Sequence, residues 1–251
     1  MPPTVAACQL VVDDLAPDAN LAAVESRVRG LPEAVDVAVF PEYALTGFVP
    51  DDRAAEVALP IDGDRIDRCR DLAAAESTAL VVGFGEADGD ARHNTTAYLD
   101  PDGTVARYRK RHLWGREAEV LTPGDDLVTV ETPAGTAGLL TCYDLNFVAD
   151  SAALTDRGVD VLFVGAAWPA AYSENWRLLL RARALDGVRW VVGAGRTGRR
   201  ENVGSEDGAD AVAYAGRSAV VRPDGGIHAS LDRRADDLVA ELDPETLAAH
   251  R

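Results

Sequence analysis

Short apolar runs alternate with amphipathic helical stretches along nearly the whole chain, and this alternation limits the fold more than any other feature. Period-two or continuous apolar runs predict strands at Val5–Val11, Val35–Phe40, Leu80–Phe84, Thr95–Leu99, Val105–Lys110, Leu127–Glu131, Ala137–Cys142, Val159–Val164, Trp190–Gly193, Ala211–Val221 and Leu238–Leu242. Helical spacing falls at Ala19–Arg29, Arg65–Ser77, Asp150–Arg157 and Glu174–Leu185. Interleaved strands and helices place the chain in the α/β class, with sheets covered by helices. No low-complexity linker or composition shift divides the 251 residues, so 1–251 is expected to form a single domain.

Two segments resemble each other. Ala97-Tyr-Leu-Asp-Pro-Asp-Gly103 and Ala219-Val-Val-Arg-Pro-Asp-Gly225 each combine a strand, a Pro-Asp-Gly turn and a second strand. Proline pre-sets φ at such a turn and glycine supplies a positive one. The pair fits either two ordinary hairpins or two similar half-domains. Several strands also lead into functional side chains: Phe40 into Glu42, Tyr108 into Lys110, Leu140 into Cys142, Val164 into Trp168. Ligands gather at the carboxyl ends of strands in open α/β sheets, so these ends are expected to share one cleft.

Bulk properties exclude several partners. A net charge of −17 leaves no basic stripe to displace counterions from phosphates, which argues against nucleic acid. The acidic residues are spread along the chain, as on a solvated surface. Their excess, with a single lysine, fits a salt-rich cytosol or GC-driven codon bias. No apolar run is long enough for a membrane span, and the N-terminus has no signal-peptide pattern, so a cytoplasmic protein is expected. Cys8, Cys69 and Cys142 are odd in number and lack CxxC spacing, and the four histidines are scattered. Neither a disulfide framework nor a metal site is indicated, and no cofactor is expected. Gly193-Ala-Gly195-Arg-Thr-Gly198 is formally GxGxxG, but the polar, glycine-punctuated stretch 199–208 predicts a loop where a dinucleotide site needs a helix.

Three residues carry chemistry. Cys142 leaves an apolar strand, and a free thiol needs a base or a cation to become an efficient nucleophile. Cys8, within a strand, and Cys69, in a helical stretch, are expected to be inert core residues. Glu42 ends a buried strand before an apolar loop, where lost hydration favours a general base. Lys110 is the only lysine among 25 Lys and Arg. An ammonium is a compact charge suited to one oxyanion, as a guanidinium fork is not.

Taken in order, Pro41-Glu42-Tyr43-x-x-Thr46-Gly47-Phe48, Tyr108-Arg-Lys110-x-His112-Leu-Trp114 and Leu140-x-Cys142-Tyr143-Asp144-x-x-Phe147 resemble the Glu–Lys–Cys motifs of the nitrilase superfamily, the carbon–nitrogen hydrolases. Ala166-Ala-Trp168-Pro, Gly195-Arg-Thr-Gly198 and Gly216-Arg-Ser218 extend the resemblance over nearly the whole chain. It implies an α-β-β-α sandwich of two mixed sheets flanked by helices, assembled as a homodimer or higher homo-oligomer. It implies hydrolysis of a non-peptide C–N bond, an amide before a nitrile or N-carbamoyl group, through a Cys142 thioester. Glu42 would be the base, and Lys110, with the Tyr143 N–H, would bind the oxyanion. A second glutamate, Glu117 with Glu119 as the alternative, would orient Lys110 and substrate. Tyr43, Trp114, Tyr143 and Trp168 would line the substrate pocket. A non-catalytic scaffold of the same fold is the rival reading. The chain departs from the family at Val148-Ala149, where Pro-Glu is usual, at Asp186-Gly187 instead of Glu-Asn, and at Gly195 instead of Asn, which bears on local packing and pocket shape.

Overall fold

A computed structural model describes residues 2–200 and 211–251. The first sheet comprises β1 (Thr4–Gln9), β2 (Val37–Val39), β3 (Ala79–Asp88), β4 (Ala91–Leu99), β5 (Val105–Arg109) and the last strand, β14 (Asp236–Glu241). The second comprises β6 (Thr129–Thr132), β7 (Gly135–Thr141), β8 (Val161–Ala166), β9 (Trp190–Gly195), β12 (Ala219–Val221) and β13 (Ile227–Ser230). Strands β10 (Arg199–Arg200) and β11 (Val212–Ala213) form a small separate ribbon.

The sheets repeat one topology. Strands β1, β2 and β3 run parallel and continue into antiparallel β4 and β5, with β14 antiparallel on the other edge. Likewise β7, β8 and β9 run parallel and continue into antiparallel β12 and β13, with β6 antiparallel beside β7. The two Pro-Asp-Gly turns join the equivalent pairs β4–β5 and β12–β13, and Gly103 and Gly225 both take positive φ. The half-domain reading of the repeated segments therefore has a topological counterpart.

Alternation along the strands builds the layers. On β1 and β3, Val5, Ala7, Ala79 and Val81 face the second sheet. Ala6, Cys8, Leu80, Val82 and Phe84 face a separate apolar layer containing Leu21, Val24, Ile66 and Leu72. Those residues come from α1 (Pro17–Gly30) and α3 (Asp64–Glu76), which cover the first sheet. On the far side, α5 (Val148–Asp156) and α6 (Ser173–Gly187) cover the second sheet. Strands buried on both faces become continuous apolar runs, as observed for Val161-Leu-Phe-Val164. Two short helices, α2 (Arg53–Glu56) and α4 (Glu117–Val120), lie in connections.

Strand and helix ends differ from the expected ones by a few residues, and two differences are substantive. Ala211–Val221 is not one strand. It breaks between β11 and β12 because Gly216 and Arg217 both take positive φ. There the Gly216 carbonyl passes so close to Gly195 that a Cβ at 195 would lie 2.3 Å from its oxygen. This contact accounts for glycine where the family usually has asparagine. The second difference is a C-terminal helix, α7 (Pro244–His250), that apolar periodicity misses. Its start is marked by Asp243, whose carboxylate accepts from the Glu245 N–H, followed by proline at the first helical position. Gly198 leads directly into β10 (Arg199–Arg200) and not into a helix, so the GxGxxG segment lacks the helix start a pyrophosphate needs. The loop expected for 199–208 falls largely on residues 201–210, outside the described residues.

Two glycines let the sheets converge on one turn. A Cβ on Gly83 in β3 would sit 2.7 Å from the Pro41 carbonyl oxygen, and one on Gly165 in β8 would sit 2.9 Å from the Glu42 nitrogen. The backbone around Glu42 thus passes between the sheets with no room to spare. Gly165→Ala is expected to displace that backbone, destabilising the fold by about 1–3 kcal/mol as overpacking does. Hydrolytic activity, assayed where the variant is still folded by circular dichroism, is expected to fall at least about tenfold for a displacement of this kind.

Candidate active site

Cys142 stands where β7 ends and a 3-10 turn, Cys142–Asn146, begins. Its φ of 49° is left-handed, a conformation unfavourable for a side chain bearing a Cβ and one that recurs at functional sites. A capping arrangement holds the turn: the Asp144 carboxylate accepts from the Thr141 N–H at 3.0 Å, and the Thr141 side chain returns the contact. Lys110 follows β5 and Glu42 follows β2, so all three side chains project from the carboxyl ends of strands.

The Lys110 ammonium lies between two carboxylates. It donates to Glu42 Oε1 at 2.8 Å and to Glu117 Oε2 at 2.7 Å. Each carboxylate is further satisfied. Glu42 accepts from Asn94 Nδ2 and from the Ala167 N–H, both at 2.8 Å. Glu117 accepts from the Tyr43 hydroxyl at 2.5 Å, from Asn94 Nδ2 at 2.9 Å and from the Trp114 N–H at 2.8 Å. Lys110 is 2 %, Glu42 3 % and Glu117 5 % exposed, so this charge cluster is nearly dry. Glu119, the alternative second glutamate, instead pairs with Arg116 on the surface.

The charges set the titration behaviour. Burial alone would lower the Lys110 pKa, but the Glu42 and Glu117 charges outweigh it and hold the ammonium well above its ordinary value. Burial would raise Glu117, yet Lys110 and its hydrogen bonds keep it below the usual glutamate value. For Cys142, burial and then the Glu42 charge push the thiol well above its ordinary value, and the Lys110 charge only partly offsets them. The sulfur therefore rests as a thiol beside a carboxylate, an arrangement that needs a base at the moment of attack.

Two cavities meet at Cys142. One of about 290 Å³ contains Glu42, Lys110 and Glu117, with Tyr43, Trp114 and Tyr214 among its walls. The other, about 180 Å³, is lined by Tyr143, Asn146, Trp168 and Tyr172, and shares Trp114 and Cys142 with the first. The sequence placed Tyr43, Trp114, Tyr143 and Trp168 in one pocket. Instead, Tyr43 belongs to the first lobe, Tyr143 and Trp168 to the second, and Trp114 spans both. Tyr143 lies on the 3-10 turn after Cys142 and lines the second lobe.

Sequence reasoning missed Asn94, whose amide bridges both carboxylates. Its available signal was four consecutive polar residues, His93 to Thr96, inside a strand, all of them buried. His112 hydrogen-bonds Asp150 at 2.9 Å and stacks on Phe147. His112, Asp144 and Asp150 converge closely enough to hold a metal ion. However, Arg111 and His112 already occupy the Asp150 oxygens, and three protein donors occupy those of Asp144. Cys8 and Cys69 are fully buried in the helix-covered layer.

Residues 4–251 match the carbon-nitrogen hydrolase family. The chain belongs to it. The hydrolase is 32% identical over 216 residues to an (R)-stereoselective amidase of Pseudomonas sp., covering 86% of this chain and 76% of the relative. It is 32% identical over 237 residues to an ω-amidase of Escherichia coli, covering 93% and 87%. An amidase of Nesterenkonia from the nitrilase superfamily superposes with a TM-score of 0.84 at 25% identity, over 99% of this chain and 94% of that one. Two mixed sheets flanked by helices are thus the family fold, and the hydrolase is an enzyme of C–N bond cleavage.

Proposed function

We propose that the hydrolase cleaves small-molecule amides through a thioester on Cys142, with residues 1–251 acting as one catalytic domain. The observation that carries the assignment is the buried Lys110 ammonium held between Glu42 and Glu117 in a cavity that Cys142 also lines. Glu42 takes the thiol proton as the sulfur bonds to the carbonyl carbon. The oxygen becomes an oxyanion facing Lys110 and the Tyr143 N–H at the start of the 3-10 turn. Donors aimed at that charge in a dry site contribute several kcal/mol to the transition state. Protonated Glu42 then passes its proton to the nitrogen as the C–N bond breaks, releasing ammonia or an amine. Water, deprotonated by Glu42, attacks the thioester and frees the carboxylic acid, and the thiol regains its proton. Glu117 fixes the ammonium and, through the Trp114 N–H, the loop that walls the cavity.

The two named amidases and the ω-amidase among the relatives support an amide substrate over a nitrile. Among the described residues no helix is long and apolar enough to cross a membrane. The mechanism requires a reduced thiol, and all three cysteines are free, which supports a cytoplasmic setting. A homodimer is supported by exposed Leu178 and Leu185, seven residues apart on α6, with exposed Val148 on adjacent α5. Light scattering should read twice the chain mass, and a single-chain mass would refute the dimer.

Brief exposure to a panel of small amides should release ammonia and leave an acyl mass adduct on Cys142. Cys142→Ala should abolish both, and Lys110→Arg should lower turnover about a hundredfold or more, the scale of losing an oxyanion donor. No ammonia across amides, nitriles and carbamoyl compounds, with no adduct, would leave the scaffold reading standing.

A further inference from the structure

The oxyanion-binding lysine and the nucleophile come from different sheets, so something must fix their separation. Lys110 follows β5 in the first sheet and Cys142 follows β7 in the second. Between the two segments lies Asp144, fully buried and not in contact with the reacting sulfur's own partners, Glu42 and Lys110, through any hydrogen bond.

Its three hydrogen bonds have a pattern. Asp144 Oδ2 accepts from the Tyr108 hydroxyl at 2.7 Å, and Oδ1 accepts from the His112 N–H at 3.0 Å. Tyr108 and His112 stand two residues before and two residues after Lys110. On the other side Oδ2 accepts from the Thr141 N–H at 3.0 Å, immediately before Cys142. Asp144 itself lies two residues after Cys142. One carboxylate thus spans the lysine segment on both flanks and the cysteine turn on both flanks.

We propose that Asp144 is a positioning residue: by binding both segments at once, its carboxylate holds the Lys110 ammonium in register with the Cys142 sulfur. This rests on the amide-hydrolase reading above.

The chemistry of the side chain supports the role. A carboxylate accepts through both oxygens and presents no donor of its own, whereas an amide would set an N–H against one of the backbone N–H groups. A carboxylate here is also maintained against a cost. Burial raises the Asp144 carboxyl to about 6, even though the Lys110 charge and the three donors pull it down. A turn that needed only a cap would be served by a neutral hydroxyl or amide at lower cost, as helix starts commonly are. A second tie between the sheets, from Thr96 Oγ1 to Thr141 Oγ1 at 2.9 Å, restrains the same strand end, but it reaches the lysine segment only through the β4–β5 ladder, where Thr96 pairs with Tyr108.

Two variants test the role. Tyr108→Phe removes one hydrogen bond on the lysine side and leaves the cysteine turn capped; Asp144→Asn disturbs both sides. For each, kcat and KM on the best amide, the melting temperature, and the rate of Cys142 alkylation by iodoacetamide are compared with wild type. Loss of register should lower kcat about tenfold in Tyr108→Phe and about a hundredfold in Asp144→Asn, with KM within about twofold, as small misplacements of reacting groups do. Alkylation, which forms no oxyanion, should stay within about twofold in Tyr108→Phe. Should Asp144→Asn not fold, Tyr108→Phe decides alone. Wild-type kcat in folded Tyr108→Phe overturns the proposal. So does a fall in kcat that is matched by a lower melting temperature and altered alkylation, because that pattern reports general loosening. A wild type inactive on every amide would instead strike the amidase reading itself.

Discussion

One ammonium between two carboxylates determines how this site can work. Burying three charges is expensive, and the cluster is stable only because each partner is saturated: Lys110 by two carboxylates, Glu42 and Glu117 by four further donor groups. The cluster carries one net negative charge, so it does not stabilise a resting thiolate. It raises the thiol pKa instead of depressing it. That separates this arrangement from a cysteine paired with a cation, where the nucleophile is charged before substrate arrives. In the proposed mechanism the proton moves to Glu42 during attack, and the Lys110 charge becomes available to the oxyanion as Glu42 is neutralised.

The fold supplies the convergence. Parallel strands in both sheets send their carboxyl ends to one side, which brings β2, β5 and β7 to a common edge although Glu42, Lys110 and Cys142 are far apart in sequence. Close packing does the rest. Gly83 and Gly165 admit the Glu42 backbone between the sheets, and Asp144 bridges the Lys110 and Cys142 segments. The left-handed φ at Tyr43 and at Cys142 marks the two turns where this convergence stresses the backbone.

Much of this was legible in the chain itself. Alternating apolar runs revealed the layers, because strands buried on both faces and helices with one apolar stripe have different periods. Glu42 and Cys142 stood out because each follows an apolar run, and Lys110 because it is the single lysine of the chain. Asn94 did not, because a buried amide within a strand looks like any polar residue until its two partners arrive from elsewhere. Glu117 and Glu119 were distinguished only by the direction of one helical turn. The break within Ala211–Val221 depends on Gly195 and Gly216 meeting, a contact between segments that local periodicity does not encode. The division of the aromatic residues between two lobes likewise depends on where four separate strand exits, after β2, β5, β7 and β8, come to lie.

The protonation state of Cys142 beside Glu42 can be measured directly, through the pH dependence of its alkylation by iodoacetamide in wild type and in Glu42→Gln. With the thiol raised above its ordinary value of 9.0 by burial and then by Glu42, the wild-type rate should still be climbing past pH 9. Removing the Glu42 charge should move the inflection to lower pH. A wild-type rate already level at pH 7, and unmoved by Glu42→Gln, would mean that the sulfur rests as a thiolate and that Glu42 is not its base.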